Sequence, residues 1–497
     1  MSVPDDRAPR DVAVIDIGSN SVRLVVYCLD GRAIWTVYNE KVLAGLGSEL
    51  VQTGRLSVRG VQDALSALRR FGALLEAVRP AKTLVAATAA VREAKDGADF
   101  VRQVLAETGL CVTILSGEDE ARYSALGVLA GTPAASGLVG DLGGASLELT
   151  RVDAGAVGVG TSLPLGPFNL RGSDGFDPVR ARLRSAKVVE GVSGTFSAHT
   201  LYAVGGGWRN LALLQMYIAS YPLRIVHQYE MSAVDALDAA RFIARQSKGS
   251  LERIEGLSKR RLETLPYAAV VLETLIEKLG LKRIVLSAYG LREGLLLETM
   301  AGNLRAQDPL VAGCEALGLR QGASEPLGPA LADWIWPVFA GLDPVFGDRD
   351  HTLVSAACRL ADLGARLHPD HRADLVFEQV LRAPLAGLDH PERAFLAIAQ
   401  FARYSGSGQP PEAQVLARLL TPERMTRAKA LGAAMRLGCD LSGRNANLLR
   451  RSSLRLNAGV MTLTADERWR DILLGEQTAK RAATLADQLE VGLRMGA

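Results

Sequence analysis

Two short segments of the sequence combine an aspartate, glycines and hydroxyl side chains at a spacing suited to holding a phosphate. Residues 13–24 read AVIDIGSNSVRL and residues 138–149 read LVGDLGGASLEL, so both contain the pattern D-(I/L)-G-x-x-S-x-(R/E)-L. Glycine lacks a Cβ and lets backbone N–H groups approach a ligand closely, and successive inward N–H groups form a nest for an anion. We predict that the following residues bind phosphate: Gly18, Ser19, Asn20, Ser21, Arg23, Gly143, Gly144, Ala145 and Ser146.

Each copy predicts a buried strand, a tight turn and a second strand. An apolar run leads to Asp16 in the first copy and to Asp141 in the second. One such segment alone is equally typical of an ordinary hairpin turn. Two copies indicate a duplicated domain, whose turns can face each other across a cleft with the ligand between them.

The second copy also carries a pair of carboxylates. Asp141 and Glu148 are seven residues apart, on either side of the turn, so both could point at one ligand. Paired carboxylates beside a phosphate nest would repel an anionic substrate unless a cation joined them, and oxygen ligands suit Mg²⁺. We predict a Mg²⁺ site at Asp141 and Glu148, together with Asp16, the counterpart of Asp141 in the first copy.

Two further segments carry charged residues at the ends of predicted strands. Arg92 lies in TAAVREA, residues 88–94, where a guanidinium could contact phosphate in bidentate geometry or could pair with Glu93 or Asp96 at the surface. Glu120 lies in SGEDEAR, residues 116–122. Serine followed by acidic residues is typical of an ordinary capped helix, whose dipole those residues complement.

Two glycine-containing turns follow later in the chain. Residues 202–211, YAVGGGWRNL, predict a strand, a turn and a helix that begins near Asn210. That arrangement presents amides to phosphate, so Gly206 and Gly207 are candidate ligands, although three glycines are also common in plain loops. Residues 284–297, IVLSAYGLREGLLL, predict strand, turn and helix again, in which Arg292 and Glu293 either pair with each other or join a site.

These segments together resemble the exopolyphosphatase and guanosine pentaphosphate phosphatase family, within the actin and sugar-kinase superfamily of ribonuclease H-like folds. The two hairpins resemble the family's phosphate-binding hairpins, and the TxAxRxA, GxxEAR and GLREG patterns follow the family's order over about residues 10–300. Ala145 stands where the family's DxGGGSxE pattern has its third glycine, which would cost about 1 kcal/mol if that position needs a positive φ. The serine or threonine usual among the family's later glycines is absent at 205–207.

The resemblance implies a role for each charged residue. Glu120 corresponds to the carboxylate that activates the attacking water, and its neighbour Glu118 is easily mistaken for it. Arg92 corresponds to a substrate-binding arginine, and Asp141 and Glu148 to the residues associated with the metal. The resemblance also implies a homodimer and processive action along a helical C-terminal region.

Composition narrows the class of protein. The chain has 497 residues, a formal net charge of +3, 48% hydrophobic and 22% charged residues, which is ordinary for a globular protein and too weakly basic to indicate nucleic-acid binding. The five cysteines have no CxxC spacing, which suggests neither disulfides nor zinc. No leader-like or membrane-length apolar run is present, so we expect a cytoplasmic protein that does not contact membranes. The P-loop and Rossmann fingerprints are also missing.

The resemblance implies an α/β fold with two ribonuclease H-like (actin-like) domains around a cleft, which we place at 1–130 and 131–304, followed by an all-α HD-like region such as the long members of the family carry. That region is expected to divide into a degenerate HD-like domain at 305–408 and a C-terminal helical domain at 409–497, with residues 405–413 (SGSGQPPEA) as a linker. Ala361-Asp362 and Tyr404-Ser405 stand where a metal-binding HD site would have histidines, so this region is expected to bind rather than cut. His368, His371 and His390 are expected at the surface, as are the arginines at 444, 450, 451 and 455, which could guide a polyanion.

The expected activity is hydrolysis of the terminal phosphate of inorganic polyphosphate with Mg²⁺. Three alternatives remain open from the sequence. The first is a 5′-phosphatase acting on guanosine pentaphosphate, which shares every motif named above. The second is a kinase of the same superfamily, and the third is a non-catalytic sensor that binds polyphosphate or guanosine tetraphosphate.

Overall fold

The computed structural model describes residues 8–171, 175–254, 262–406 and 409–496. The chain forms two compact units, Met1–Ala306 and Gln307–Ala497. Within the described residues, no helix combines the length and the apolar character that crossing a bilayer requires. All five cysteines are free thiols.

The first unit opens with a five-stranded sheet. Asp30 and Gly31 turn the chain between the second and third strands, and Gly31 takes a φ of 57° there. Ser57 caps a long helix by accepting a hydrogen bond from the Gly60 amide, as its position before an apolar helical pattern predicts. The elements are β1 (Arg10–Ile17), β2 (Val22–Asp30), β3 (Ala33–Val42), α1 (Leu50–Thr53), α2 (Val58–Val78), β4 (Lys82–Ala87), α3 (Ala89–Glu93), α4 (Gly97–Thr108), β5 (Thr113–Ile114) and α5 (Gly117–Gly131).

A second sheet repeats this topology. Its elements are β6 (Gly137–Leu142), β7 (Leu147–Asp153), β8 (Ala156–Leu163), α6 (Pro167–Leu170), α7 (Pro178–Glu190), α8 (Ser193–Phe196), β9 (Thr200–Val204), α9 (Gly206–Ile218), β10 (Glu230–Ser232), α10 (Ala233–Arg245), α11 (Lys248–Glu252), α12 (Leu265–Leu279), β11 (Arg283–Leu286), α13 (Leu291–Thr299) and α14 (Gly302–Arg305). The strand orders are β3-β2-β1-β4-β5 and β8-β7-β6-β9-β11, with β10 added at the second edge. This equivalence confirms the predicted duplicated ribonuclease H-like fold.

Helix α5 lies between the two sheets. On one side, Ala130 packs with Val12 and Val14 of β1, in a cluster that α13 also joins. On the other side, Val128 packs with Val139 of β6 and with residues of β9 and β11. The opposite face of the first sheet is covered by α2 and α4, and that of the second by α7, α9, α10 and α12. Because α5 packs against both sheets, the two sheets together fix the position of the residues in its first turn.

The second unit is mainly helical. Its elements are α15 (Pro309–Arg320), α16 (Leu327–Phe339), α17 (Asp350–Arg359), α18 (Arg372–Arg382), α19 (His390–Tyr404), α20 (Ala413–Leu416), α21 (Pro422–Ser442), α22 (Ala446–Leu449), β12 (Ser452–Asn457), β13 (Val460–Ala465), α23 (Arg470–Leu473), α24 (Glu476–Leu489) and β14 (Gly492–Met495). The three strands form a small sheet that the all-α expectation missed. Arg455 lies on β12 and is exposed, as expected.

Two other expectations for this unit concern His390 and the linker at 405–413. His390 lies in the first turn of α19, where tertiary packing leaves it only 2% exposed, so the expectation of a surface histidine was wrong there. The predicted linker at 405–413 includes residues 407 and 408, which lie outside the described residues. Helices α19 and α21, before and after it, pack against each other. The finer division at 408/409 stays a prediction.

Candidate active site

The turns of the two hairpins line one cavity of about 270 Å³. Both turns have the same internal hydrogen bond, from Gly18 N to Ser21 O at 2.9 Å and from Gly143 N to Ser146 O at 3.0 Å. The predicted site residues that line the cavity are Asp16, Gly18, Ser19, Asn20, Ser21, Arg23, Glu120, Asp141, Gly143, Gly144, Ser146, Glu148, Gly206 and Gly207. Arg92 and Ala145 lie just behind this lining.

Gly144 allows the two turns to approach each other. A Cβ at Gly144 would lie 3.2 Å from the Ser19 Cβ and 3.4 Å from the Asn20 Cβ, and 3.2 Å from the Phe168 ring. The amides of Ser19, Asn20 and Gly144 donate to no acceptor among the described residues. Unpaired backbone donors from two facing turns are the arrangement that a bound anion requires.

The glycines act through close approach rather than through unusual backbone angles. Gly18 and Gly143 do not take a positive φ, and neither does Ala145. The expected strain at Ala145 is therefore absent, and its carbonyl accepts from the Gly166 amide at 2.9 Å and from Asn169 Nδ2 at 2.7 Å.

Gly205 is different, because its φ is 112° and a Cβ there would lie 2.6 Å from the Leu142 carbonyl oxygen. Helix α9 begins directly after it, at Gly206, so the expected start near Asn210 was too late. The first residues of this 13-residue helix, Gly206 and Gly207, line the cavity with the unpaired amides of a helix N-terminus.

Glu120 lies in the first turn of α5 and is buried. Ser116 caps this helix by accepting from the Asp119 amide at 3.0 Å, as predicted. Glu118, two residues before Glu120, is exposed. Arg92 Nη1 donates to Glu120 Oε2 at 3.0 Å and to the Leu115 carbonyl at 3.0 Å. Arg92 also lies 3.6 Å from Glu93, but its side chain is only 21% exposed, so it is not a surface arginine.

Three carboxyl groups that line the cavity, those of Glu120, Asp141 and Glu148, have raised pKa values. Burial raises the pKa of Glu120 to about 7, against the lowering effect of Arg92 and with a contribution from Asp141 and Asp16. Burial likewise raises the pKa of Asp141 to about 6. Burial, together with the charges of Glu120 and Asp141, holds the pKa of Glu148 well above its usual range. Such a group of mutually repelling acids can supply a base near neutral pH or share a cation.

Two serines that the sequence analysis did not single out orient these carboxylates. Ser124 Oγ, one turn after Glu120 on α5, donates to Asp141 Oδ2 at 2.7 Å. Ser162 Oγ on β8 donates to Glu148 Oε1 at 2.9 Å. The i, i+4 spacing of Glu120 and Ser124 places both on one helix face, and that spacing was the available signal.

Arg292 and Glu293 bond to the first sheet instead of only to each other. Arg292 Nη1 donates to Asp16 Oδ2 at 2.9 Å. Glu293 accepts from the Tyr27 hydroxyl at 2.6 Å and from the Gly290 amide at 2.9 Å. Side chains at the start of helix α13 are thus bonded to strands β1 and β2 of the first sheet. Other cavity residues that sequence reasoning missed are Lys41, Thr88 and Arg209.

The metal prediction can be compared with the donor geometry. Asp141 and Glu148 are directly opposite each other in the β6–β7 pairing. Across the described ranges, no three acidic, histidine or cysteine side chains are close enough to hold a metal ion by themselves. Mg²⁺ commonly takes only one or two protein carboxylates and completes its shell with water and substrate phosphates. The donor set therefore fits an ion that binds together with a phosphate substrate.

A duplicated sheet with two matched turns around one cavity defines a member of the actin-like superfamily. Within it, the chain belongs to the Ppx/GppA phosphatase family, whose profile matches residues 25–302. A second profile, described as exopolyphosphatase, C-terminal, matches residues 310–493. Phosphate-ester or anhydride hydrolysis is the chemistry for which this family is named.

Individual relatives are distant. The chain is 26% identical over 441 residues to retrograde regulation protein 2 of Saccharomyces cerevisiae, covering 79% of this chain and 72% of that protein. It is 27% identical over 304 residues to exopolyphosphatase 1 of Mycobacterium tuberculosis, covering 58% and 88%. The crystal structure of the Aquifex aeolicus Ppx/GppA family member is 26% identical, with a TM-score of 0.52, and covers 58% of this chain and 96% of that one.

Proposed function

We propose that this chain is an exopolyphosphatase, which hydrolyses the terminal phosphate of inorganic polyphosphate. The observation that carries the proposal is the position of Glu120, a carboxyl with a pKa of about 7 in a cavity where two facing turns offer unpaired amides. Exopolyphosphatase 1 of Mycobacterium tuberculosis, named for this activity, is among the relatives and supports the choice of substrate.

In the proposed reaction, the amides of Ser19, Asn20 and Gly144 hold the terminal phosphate from two sides. Glu120 takes a proton from water, which then attacks the terminal phosphorus and displaces the shortened chain. A base with a pKa near 7 suits this step because about half of it is deprotonated at neutral pH and it is still basic enough to accept the proton. Arg92 favours the ionised form of Glu120, and we expect its guanidinium to offset charge that develops on the phosphate.

Of the three carboxylates predicted for the metal, Asp16, Asp141 and Glu148, we propose that one or two hold Mg²⁺ together with substrate oxygens. When bound, Mg²⁺ polarises the phosphoryl group and neutralises its charge. Ser124 and Ser162 donate hydrogen bonds to Asp141 and Glu148, which restrains the rotamers of the two carboxylates.

The remaining expectations are part of the same proposal. We propose a cytoplasmic homodimer, in which the regions 305–408 and 409–497 bind polyphosphate without cleaving it. Guanosine pentaphosphate stays the competing substrate because its hydrolysis uses the same residues. The sensor alternative rested in part on the alanine at position 145, where the family pattern has glycine. Ala145 does not take a positive φ, so this argument for a non-catalytic protein is removed.

Side-by-side assays of phosphate release from polyphosphate and from guanosine pentaphosphate, each with Mg²⁺, test the proposal. We expect a higher kcat/KM for polyphosphate. A higher kcat/KM for guanosine pentaphosphate would show that the proposed substrate is wrong, while the proposed roles of the site residues would stay the same. Release from neither substrate, with binding of either, would support the sensor instead, and ADP formation that depends on an acceptor would identify a kinase.

A further inference from the structure

Tyr27 is a buried tyrosine of the first sheet that the proposed reaction does not use. It lies on β2, in an apolar cluster with Val12 and Val14 of β1 and with residues of α5 and α13. Its hydroxyl donates a hydrogen bond to Glu293 Oε1 at 2.6 Å. Burial and the charge of Glu293 hold the pKa of Tyr27 well above its usual value, so the hydroxyl keeps its proton and remains a donor at neutral pH.

Glu293 connects Tyr27 to the lining of the cavity. Its second oxygen, Oε2, accepts from the Gly290 amide at 2.9 Å, so both carboxylate oxygens of Glu293 are bonded. Gly290 lines the cavity, in the turn between β11 and α13. A Cβ at Gly290 would lie 3.5 Å from Asp141 Oδ2 and 2.7 Å from Val204 Cγ1. The hydroxyl of Tyr27 is therefore connected, through one side chain, to the backbone beside Asp141 of the second sheet.

The residue next to Glu293 makes a second bond to the first sheet. Arg292 Nη1 donates to Asp16 Oδ2 at 2.9 Å. In the β1–β2 pairing, Tyr27 is opposite Val12, and the distance along a strand from residue 12 to residue 16 is about 13 Å. Residues 12 and 16 point to the same face of the sheet, so both bonds lie on one face. One contact would leave α13 free to rotate about it, whereas two contacts at that separation fix its orientation against the sheet.

A purely structural role would favour an apolar pair at positions 27 and 293. Burying a carboxylate costs free energy even when hydrogen bonds satisfy it, and Phe with Leu would pack in this cluster without that cost. A hydrogen bond between buried groups is directional, whereas apolar contact is not. The Tyr27–Glu293 bond therefore provides a defined distance between the two sheets rather than only cohesion.

We propose that Tyr27 is a positioning residue for phosphate binding, which acts through Glu293 and Gly290 on the width of the cleft between the two hairpin turns. Tyr27 does not touch the substrate. The inference rests on the proposed function, because it takes the cavity to be the site where phosphate binds.

The cleft depends on this bond because its two walls belong to different sheets. One hairpin turn follows Asp16 and the other follows Asp141, and each aspartate lies beside one of the two connections that α13 makes. Without the Tyr27 hydroxyl, the second sheet can rotate about the remaining ion pair of Asp16. The amides of Ser19 and Gly144 then no longer meet on one phosphate, so binding weakens while the reacting groups stay intact.

Binding of methylenediphosphonate, a diphosphate analogue that resists hydrolysis, tests the inference without turnover. Calorimetry on the full chain with Mg²⁺ measures its dissociation constant. We expect Tyr27→Phe to raise this constant about tenfold, as fits the loss of one hydrogen bond to a charged acceptor. Glu293→Leu should have the same effect, and the double variant should bind no more weakly than Glu293→Leu alone. Glu293→Gln should restore most of the affinity, because Gln can accept from the Gly290 amide and donate to Tyr27.

Steady-state kinetics on polyphosphate separate positioning from a merely structural role. Tyr27→Phe should raise KM about tenfold and leave kcat within about threefold of the parent protein. Tyr123→Phe is the matched control, since the Tyr123 hydroxyl also donates to a glutamate of α13, Glu298. Both of these residues lie outside the set of described residues that line the cavity. The control should change neither KM nor the dissociation constant of the analogue.

Two results would overturn the inference. A lower Tm for Tyr27→Phe with an unchanged dissociation constant would show that the bond only stabilises the fold. A loss of affinity in the double variant equal to the product of the two single losses would show that Tyr27 and Glu293 act separately. A parent protein that binds the analogue but releases no phosphate would contradict the proposed function, while the affinities of the variants would still decide this inference.

Discussion

Arg92 Nη1 and Glu120 Oε2 are 3.0 Å apart, so the expected substrate-binding arginine is bonded to the expected base. Burial raises the pKa of Glu120 to about 7, and Arg92 acts in the opposite direction. The arginine thus sets how much of the base is ionised at neutral pH, in addition to any contact with the substrate.

Replacement of Arg92 by Gln should shift the pH profile. Without the guanidinium the pKa of Glu120 rises, so the acidic limb of kcat/KM should move to higher pH by about one unit. Activity should be lost more at pH 7 than at pH 9. Arg92→Lys, which keeps the charge, should restore most of the limb. A limb that stays in place in Arg92→Gln would contradict the assignment of Glu120 as the titrating base.

The raised pKa of Asp141 predicts a stability change with a definite sign. The folded protein holds its proton up to about pH 6, whereas a free aspartate releases it near 3.8. Between those values the folded state binds more protons, so the free energy of unfolding falls as pH rises and stays lower above pH 6. Asp141→Asn should therefore raise the free energy of unfolding by about 1–3 kcal/mol at pH 8 without divalent cations, and by almost nothing at pH 3.5.

Urea unfolding at both pH values measures this difference. Asp63→Asn, on α2 outside the cavity and 3.8 Å from Arg59, is the control and should show little change. Equal stability of Asp141→Asn and the parent protein at pH 8 would mean that Asp141 is not held in an unfavourable charged state.

Loss of the Ser124 hydroxyl should weaken catalysis without preventing folding. Ser124→Ala frees Asp141 from a 2.7 Å hydrogen bond, and a hydrogen bond to a charged acceptor contributes about 1.5–3 kcal/mol. We expect kcat/KM to fall roughly tenfold and the Mg²⁺ concentration for half-maximal activity to rise. Ser136→Ala, which loses an exposed bond to Asp153, should change neither.

The close approach of the hairpins predicts opposite results for adjacent residues. Gly144→Ala places a Cβ 3.2 Å from the Ser19 Cβ and from the Phe168 ring, so the turns must separate and KM should rise about tenfold. Ala145→Gly should have little effect on KM, because Ala145 does not take a positive φ. Steady-state kinetics on the two variants compare them directly, and a larger effect at Ala145 would contradict this geometry.

The duplication was predictable from the sequence because residues 13–24 and 138–149 share one pattern of residue types. Asp16 and Asp141 occupy the same place in two sheets of the same strand order. The Arg92–Glu120 bond and the Ser124–Asp141 bond were not predictable in the same way, since each joins residues whose distance depends on how α5 packs between the sheets. The small sheet of β12, β13 and β14 was missed because β14 is short and pairs with a strand about 30 residues earlier. The burial of His390 likewise follows from tertiary packing rather than from local sequence.

Phosphate release from polyphosphate by Glu120→Gln, compared with Glu118→Gln, tests the central claim most directly. The two glutamates are two residues apart, but only Glu120 lines the cavity. We predict that Glu120→Gln lowers kcat on the order of 10³-fold with polyphosphate binding retained, and that Glu118→Gln matches the parent protein. Undiminished release by Glu120→Gln would contradict the proposed mechanism.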